Sequence, residues 1–223
     1  MNYGISSEED TRIKLLKVGI RLFGEYGFEA TTTRKIADEA NSNIGSIAYH
    51  FGSKRALYLS SIEYIADNMR NMFNLEALRL PDKGGVELSR DEAREILQSL
   101  VSTIFRTFAV EEEPRSWLLL IIREQVNPTE AFRILYDRVF DIIYSTFGSL
   151  IALLTGMSVD DRRAFLEAHT LIGQIVFFLI GRNSLLMKLG EIKTLDSHTI
   201  DMAEEILLSH IAAYTSVQPA GLR

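Results

Sequence analysis

The chain reads as an all-α protein of about nine helices, with an N-terminal three-helix domain ahead of a larger helical one. Three observations predict it. Apolar residues recur every three or four positions almost throughout, no stretch alternates with a period of two, and helix start and stop signals punctuate the pattern.

Ser6 and Glu9 in "SSEED" are spaced for a capping box. Ile13, Leu16, Ile20 and Phe23 then mark one helical face, and Gly27 is a natural left-handed terminator. Thr32 caps a short second helix with Ile36, Ala37 and Ala40 turned inward, and Asn41-Ser42-Asn43 form the turn out. A third short helix covers roughly 44–51 before Gly52-Ser53. The fourth runs from Lys54 to about Leu80, where Pro81 stops it; at 1.5 Å per residue it would reach about 35–40 Å.

Ser89 and Glu92 box the fifth helix, which runs to the acidic 111–113. Pro114 suits the first turn of a helix through Val126. Asn127-Pro128-Thr129-Glu130 opens a helix to Gly156, Ser158 with Asp161 opens one through Gly181, and Asp196 opens one through about Tyr214. Residues 181–196 read mostly as loop. The expected division is a helix-turn-helix domain over 1–55, a linking helix over 54–80, and a second domain over 56–223.

At 223 residues the chain can bury a sizeable core. It has no cysteine, which removes disulfide frameworks, thiolate metal sites and Cys nucleophiles and fits a reducing cytoplasm. The N-terminus lacks a signal-peptide pattern, and the longest uncharged apolar stretch, 171–181, falls short of the roughly 20 residues a membrane span requires. A cytoplasmic protein with no membrane partner is expected. The four histidines, at 50, 169, 198 and 210, lack metal-ligand spacing, and no glycine-rich phosphate loop or nucleophile elbow is present. No metal, cofactor or catalytic residue is therefore expected, and Glu167, His169 and the 111–113 carboxylates read as solvated or structural.

Net charge is −6, unevenly placed: residues 1–55 hold eight Lys/Arg against seven Asp/Glu, the remainder sixteen against twenty-three. A near-neutral head on an acidic body suits a small phosphate-contacting surface and no broad basic face.

Two short helices joined by a three- or four-residue turn are the geometry of a helix-turn-helix, whose second helix enters the major groove. In "NIGSIAYHF" (43–51), Ile47 and Phe51 anchor the inner face. Gly45, Ser46, Ala48, Tyr49 and His50 lie outward or at the rim, with Asn43 and Ile44 completing the candidate DNA contacts; the small residues permit close approach, and Ser46, Tyr49 and His50 have polar tips for phosphates or bases. Lys54 and Arg55, in the first turn of the next helix, oppose its macrodipole at roughly 0.3–1 kcal/mol each. A DNA phosphate placed there would reverse that sign. Thr32, Thr33 and Arg34 offer a second phosphate clamp. Solvated surface charge is the alternative reading of Lys54 and Arg55.

The stretch "FGEYGFEATTTRKIADEANSNIGSIAYHFGSKRALY" (23–58) resembles the DNA-binding domain of the TetR family of transcriptional repressors. Phe23, Gly27, Ala30-Thr31-Thr32, Ile36-Ala37, Ala40, Gly45, Tyr49, Phe51, Ser53-Lys54 and Leu57 carry the match. "NI" with "FGSK", and "REQVNPTEAF" (123–132), are similar to the CecR branch. Asn41-Ser42-Asn43 stands where the family commonly has Gly-Val-Ser, Ile44 where it often has a basic residue, and Arg55 where it commonly has an acidic one.

The resemblance implies a homodimeric repressor that binds a palindromic operator in double-stranded DNA. It also implies a C-terminal domain that binds a small-molecule effector and dimerises. Two motifs roughly 34–36 Å apart would read half-sites in consecutive major grooves. Candidate effector contacts are Phe105, Trp117, Ile121, Arg123, His169, Gln174 and Phe177, an apolar set with a few polar groups; ordinary core packing is the alternative. Helices 159–181 and 197–214 would form the dimer interface, with "IVFFLIG" in its seam. A helical enzyme or small-molecule carrier, with the N-terminal motif as scaffold, is the competing reading.

Overall fold

A computed structural model describes residues 7–78, 88–190 and 194–214. Among them, eleven α-helices and one π-helical turn occur, and no strand. The helices are α1 (Ser7–Ala30), α2 (Thr33–Glu39), α3 (Gly45–Phe51), α4 (Lys54–Met72), α5 (Arg90–Val110), α6 (Glu112–Val126), α7 (Glu130–Leu135), α8 (Asp141–Thr155), α9 (Arg162–Ile180), α10 (Arg182–Leu189) and α11 (Ser197–Ala213).

Most expected boundaries stand. Gly27 breaks α1 with φ +82, a backbone setting that costs a side-chain-bearing residue dearly. The Ser89–Glu92 capping box is complete in both directions. The expected box at Ser6 and the stop at Pro81 lie outside the described residues.

Three expectations change. The fourth helix ends at Met72, well before Leu80, because the chain turns over 73–78 with Asn74 at φ 48, the left-handed setting asparagine tolerates. At about 1.5 Å per residue its 19 residues span about 28 Å. The helix expected over 130–156 is interrupted by a π-helical turn at Tyr136–Phe140. Part of the expected loop at 181–196 is α10, bounded by Gly181 and by Gly190 at φ +75, so its glycines mark helix ends and not a coil.

The chain packs as two units. The first gathers the described residues through Asn71 with Glu112–Val139, so α6 and α7 belong with the N-terminal helices. The packing thus divides the chain elsewhere than at residue 55. In this unit α1 runs against α6, closely enough that a Cβ on Gly24 would sit 3.1 Å from Leu119 Cβ. Leu15, Leu16, Ile20, Phe23, Ile36, Ile47, Leu57, Ile62, Trp117 and Leu120 are essentially inaccessible. At about 1.5–3 kcal/mol per fully buried large side chain, this interior supplies the main driving force for seating α2 and α3 on α1.

The second unit comprises Met72–Glu111 and the described residues from Phe140 onward. Here α8 packs between α5 and α9, and α11 lies on α5. Phe105 is fully buried and meets Phe178 edge-to-face at 5.0 Å. Glu204, nearly buried, accepts from Ser102 and Arg106, and Arg106 also reaches Asp201 at 2.7 Å.

Candidate nucleic-acid interface

The α2–α3 turn is set by two asparagines. Asn41 adopts φ 50, and Ser42 N–H donates to Ala37 O at 2.9 Å. The asparagine that replaces the family's usual glycine therefore keeps the left-handed corner, for its short polar side chain tolerates that setting. Asn43 turns its Oδ1 back to accept from Gly45 N–H at 2.8 Å. It starts α3, which limits it as a base reader, since bidentate contact with adenine needs that same oxygen.

From α3, Ile47 is 2% exposed and pins the helix inward. Ile44 (52%) and Tyr49 (73%) stand out in solvent with Gly45 and Ala48, while Ser46 and His50 are half-buried at the rim. Tyr49 meets His50 edge-to-face at 4.9 Å. Thr32 caps α2 by accepting from Lys35 N–H at 3.1 Å; Thr33 is half-buried and Arg34 exposed. The residues expected to face outward lie exposed or half-buried on α3 and at the start of α2.

Lys54 is placed differently. Its ammonium donates to Phe28 O at 2.8 Å and Thr31 O at 3.0 Å and lies 4.1 Å from the Phe28 ring centroid. The cation caps the carbonyl end of α1, where a helix presents negative partial charge. The compensation expected from a DNA phosphate is supplied by the protein itself. Arg55 is likewise engaged, forked onto Glu130 at 2.6 and 2.5 Å. That contact raises the Arg55 pKa and holds the Glu130 carboxyl below its usual range.

These contacts belong to a clasp the sequence reading did not resolve. Glu124, 1% exposed, accepts from Tyr58 OH, from Thr129 N–H at 3.0 Å and from Thr129 OH. Burial, with the Glu124 carboxylate adding to it, pushes the Tyr58 pKa upward. Arg123 donates to Gly24 O at 2.6 Å and Glu25 O at 2.8 Å, just before the Gly27 break. The run 123–130 therefore holds α1, α4 and α7 in register. Its signal lay in the polar cluster "REQVNPTE", but only the fold shows whom each residue faces.

Arg123 thus clamps the backbone of α1 ahead of the Gly27 break. Trp117 and Ile121, also in the first unit, are core residues; Trp117 backs a cleft of about 260 Å³ formed with Lys17, Ile20, Glu112, Glu113 and Ser116. Beside it Tyr64 donates to Glu113 at 2.7 Å, and its pKa is pushed up to about 12 by burial and that carboxylate. In the second unit Phe105 is core. His169 is exposed and shares a hydrogen bond with Tyr144 OH at 2.7 Å, Gln174 does so with His210 at 2.6 Å, and Phe177 is 72% exposed. Helical spacing alone does not separate inward from outward faces, which is why Phe105 proves buried and Phe177 exposed. Among the described residues no group of His, Cys, Asp or Glu is arranged to hold a metal.

A buried three-helix head with its third helix exposed defines a helix-turn-helix DNA-binding protein. Residues 15–60 match the family described as bacterial regulatory proteins, tetR family, and residues 93–215 match the C-terminal domain of the HTH-type transcriptional dual regulator CecR. The chain belongs to the TetR family and, through that second match, to its CecR-like part. The CecR protein of Shigella flexneri is 32% identical over 212 residues, covering 91% of this chain and 90% of the relative. Two solved structures share the fold. AibR in complex with isovaleryl coenzyme A and operator DNA superposes with TM-score 0.65 at 11% identity, covering 90% of this chain and 97% of that one. A transcriptional regulator from Saccharomonospora viridis in complex with choline does so with TM-score 0.60 at 22% identity, covering 91% and 96%. The protein is a transcriptional regulator and not an enzyme, which retires the enzyme reading.

Proposed function

We propose that this protein is a homodimeric repressor that binds a two-fold symmetric operator through α3 and changes its affinity when a small molecule binds. The observation that carries the DNA part is the exposed outer face of α3, with Arg34 exposed at the start of α2 next to Thr32 and Thr33. Ser46, Tyr49 and His50 supply polar tips to it. The charge of Arg34 and the hydroxyls suit phosphate oxygens. Lys54 acts indirectly, by fixing the head on which these residues ride.

Dimerisation is supported by apolar side chains left uncovered on α9 and α11. Leu166 (56%), Phe177 (72%) and Ile180 (47%) recur at helical spacing on α9, and Met202 (43%) and Ile206 (57%) on α11. The Gln174–His210 hydrogen bond ties the two helices side by side. Ile175 and Leu179, from the same apolar run, are buried within the subunit, so the expected seam divides between core and surface. α9 and the helical run 130–155 are both long and apolar enough to cross a membrane by length and composition, which the 171–181 stretch alone did not indicate. We assign the outward apolar face of α9 to a second copy of the chain, not to lipid, and read the protein as cytoplasmic.

The effector belongs to a class, small organic molecules, like the isovaleryl coenzyme A and the choline found in complex with the two structural neighbours. Its leverage on the operator equals its differential affinity for the two states. Repression follows where the operator overlaps a promoter. The relative's designation as a dual regulator allows the same occupancy to activate elsewhere. The test is fluorescence anisotropy of the purified chain with its own upstream DNA over a salt series. Saturable binding by two subunits per operator is expected, and absence of binding at low salt would end this reading.

A further inference from the structure

We propose that Ile44 and Ala48 read thymine methyl groups in the major groove, so that A·T pairs and not guanines specify the bases facing α3. The proposal rests on the operator-binding reading above and says what that operator contains. Between Asn41 and Ser53 there is no Lys, Arg, Asp, Glu or Gln, so the side chains that take guanine O6/N7 or donate the commonest bidentate contacts are missing. Asn43, the amide at the start of α3, has its Oδ1 on Gly45 N–H at 2.8 Å. Besides the polar tips of Ser46, Tyr49 and His50, α3 offers an apolar strip. Ile44 is 52% exposed, and Ala48, four residues on, lies exposed on the same side of the helix. Gly45, exposed beside them, adds no bulk, so the strip can approach the base edges. The apolar feature of the major-groove surface is the thymine C5-methyl group.

The test begins with enrichment of random duplexes by the purified full-length chain at low salt. In the enriched half-site each thymine is then replaced singly by deoxyuridine, which removes one methyl group and leaves every hydrogen-bonding group in place. The expected result is a loss of about three- to tenfold in affinity at one or two thymines per half-site and none elsewhere. With Ile44→Ala, binding to the thymine duplex weakens by a similar factor and the thymine–uracil difference at one of those positions disappears, the signature of a direct contact in a double-mutant cycle. Ile44 is exposed, so the variant keeps its fold. Enriched half-sites built on G·C pairs, or equal affinity for thymine and uracil at every position, would overturn the methyl-reading proposal while leaving the regulator intact. Enrichment of no duplex at all would overturn the regulator reading instead.

Discussion

In the unit built from α1–α4, α6 and α7, long polar side chains bridge one helix to another's backbone or buried polar groups, whereas in the unit built from α5 and α8–α11 apolar packing joins the helices. Lys54 on Phe28 O and Thr31 O, Arg123 on Gly24 O and Glu25 O, and Tyr58 with Thr129 on Glu124 are directional contacts that fix angles. Phe105 against Phe178, and Gly148 with the Phe165 ring 3.1 Å from where its Cβ would be, mark close packing; polar contacts here, Arg106 with Glu204 and Asp201, Tyr144 with His169 and Gln174 with His210, pair side chain with side chain and reach no helix backbone. The head has to present α3 at a set angle, and hydrogen bonds have sharper angular preferences than apolar contacts. The body instead leaves apolar side chains uncovered on α9 and α11, the face assigned above to the proposed dimer. The difference also corrects a habit of counting: positive charge near a helix-turn-helix is not all available to DNA, since the ammonium of Lys54 and the guanidinium of Arg55 already have protein partners.

The strongest break in this comparison targets the uncovered face. Phe177→Glu places a charge where an aromatic ring should be buried, twice per dimer, and should weaken dimerisation by about 3–6 kcal/mol. Sedimentation velocity should show monomers, with the helical circular dichroism unchanged. A variant that stays dimeric would move the interface off α9.

Next in size is the clasp. Glu124→Ala leaves the buried Tyr58 hydroxyl and the Thr129 N–H without their acceptor and should cost about 2–4 kcal/mol in denaturant unfolding. The comparison would lose its basis if that variant unfolded like the parent.

Lys54→Met removes two charge-assisted hydrogen bonds and should cost about 1.5–3 kcal/mol of stability. It also sharpens the contrast with Arg34. If Lys54 is a clasp, its loss lowers stability and leaves the slope of log affinity against log salt unchanged. Arg34→Ala should do the reverse, leaving stability alone and reducing the slope by about 0.9, one phosphate contact. A reduced slope for Lys54→Met would return that residue to the phosphate surface.

The smallest expected effect is a pH dependence in the body. Burial of Glu204 favours its neutral form, but the hydrogen bonds from Arg106 and Ser102 outweigh it and hold the pKa below the ordinary 4.5. A carboxyl depressed in the folded state stabilises fully above its unfolded pKa, and that contribution is lost as pH falls through the folded value. Unfolding free energy should therefore drop below about pH 4.5, and Glu204→Gln should flatten that limb. An identical acid limb in the variant would remove Glu204 from the account.

Much of this was legible along the chain because it is local. Caps at Thr32, Ser89, Thr129 and Asp196 act within two or three residues of themselves, as does the left-handed break at Gly27. Periodicity placed Ile47 inward and Tyr49 outward on α3, since two residues, about 200° of helical rotation, separate them. The motif at 23–58 likewise pointed to the family. What only the tertiary structure decided were pairings across long sequence separations. Lys54 finds carbonyls 23 and 26 residues back, and Arg123 finds carbonyls 98 and 99 residues back. A cation's sequence neighbours say that it is charged; which acceptor it meets depends on how the helices pack. For the same reason Phe105 and Phe177, alike in the linear pattern, part company once folded, one sealed in the core and the other standing 72% exposed.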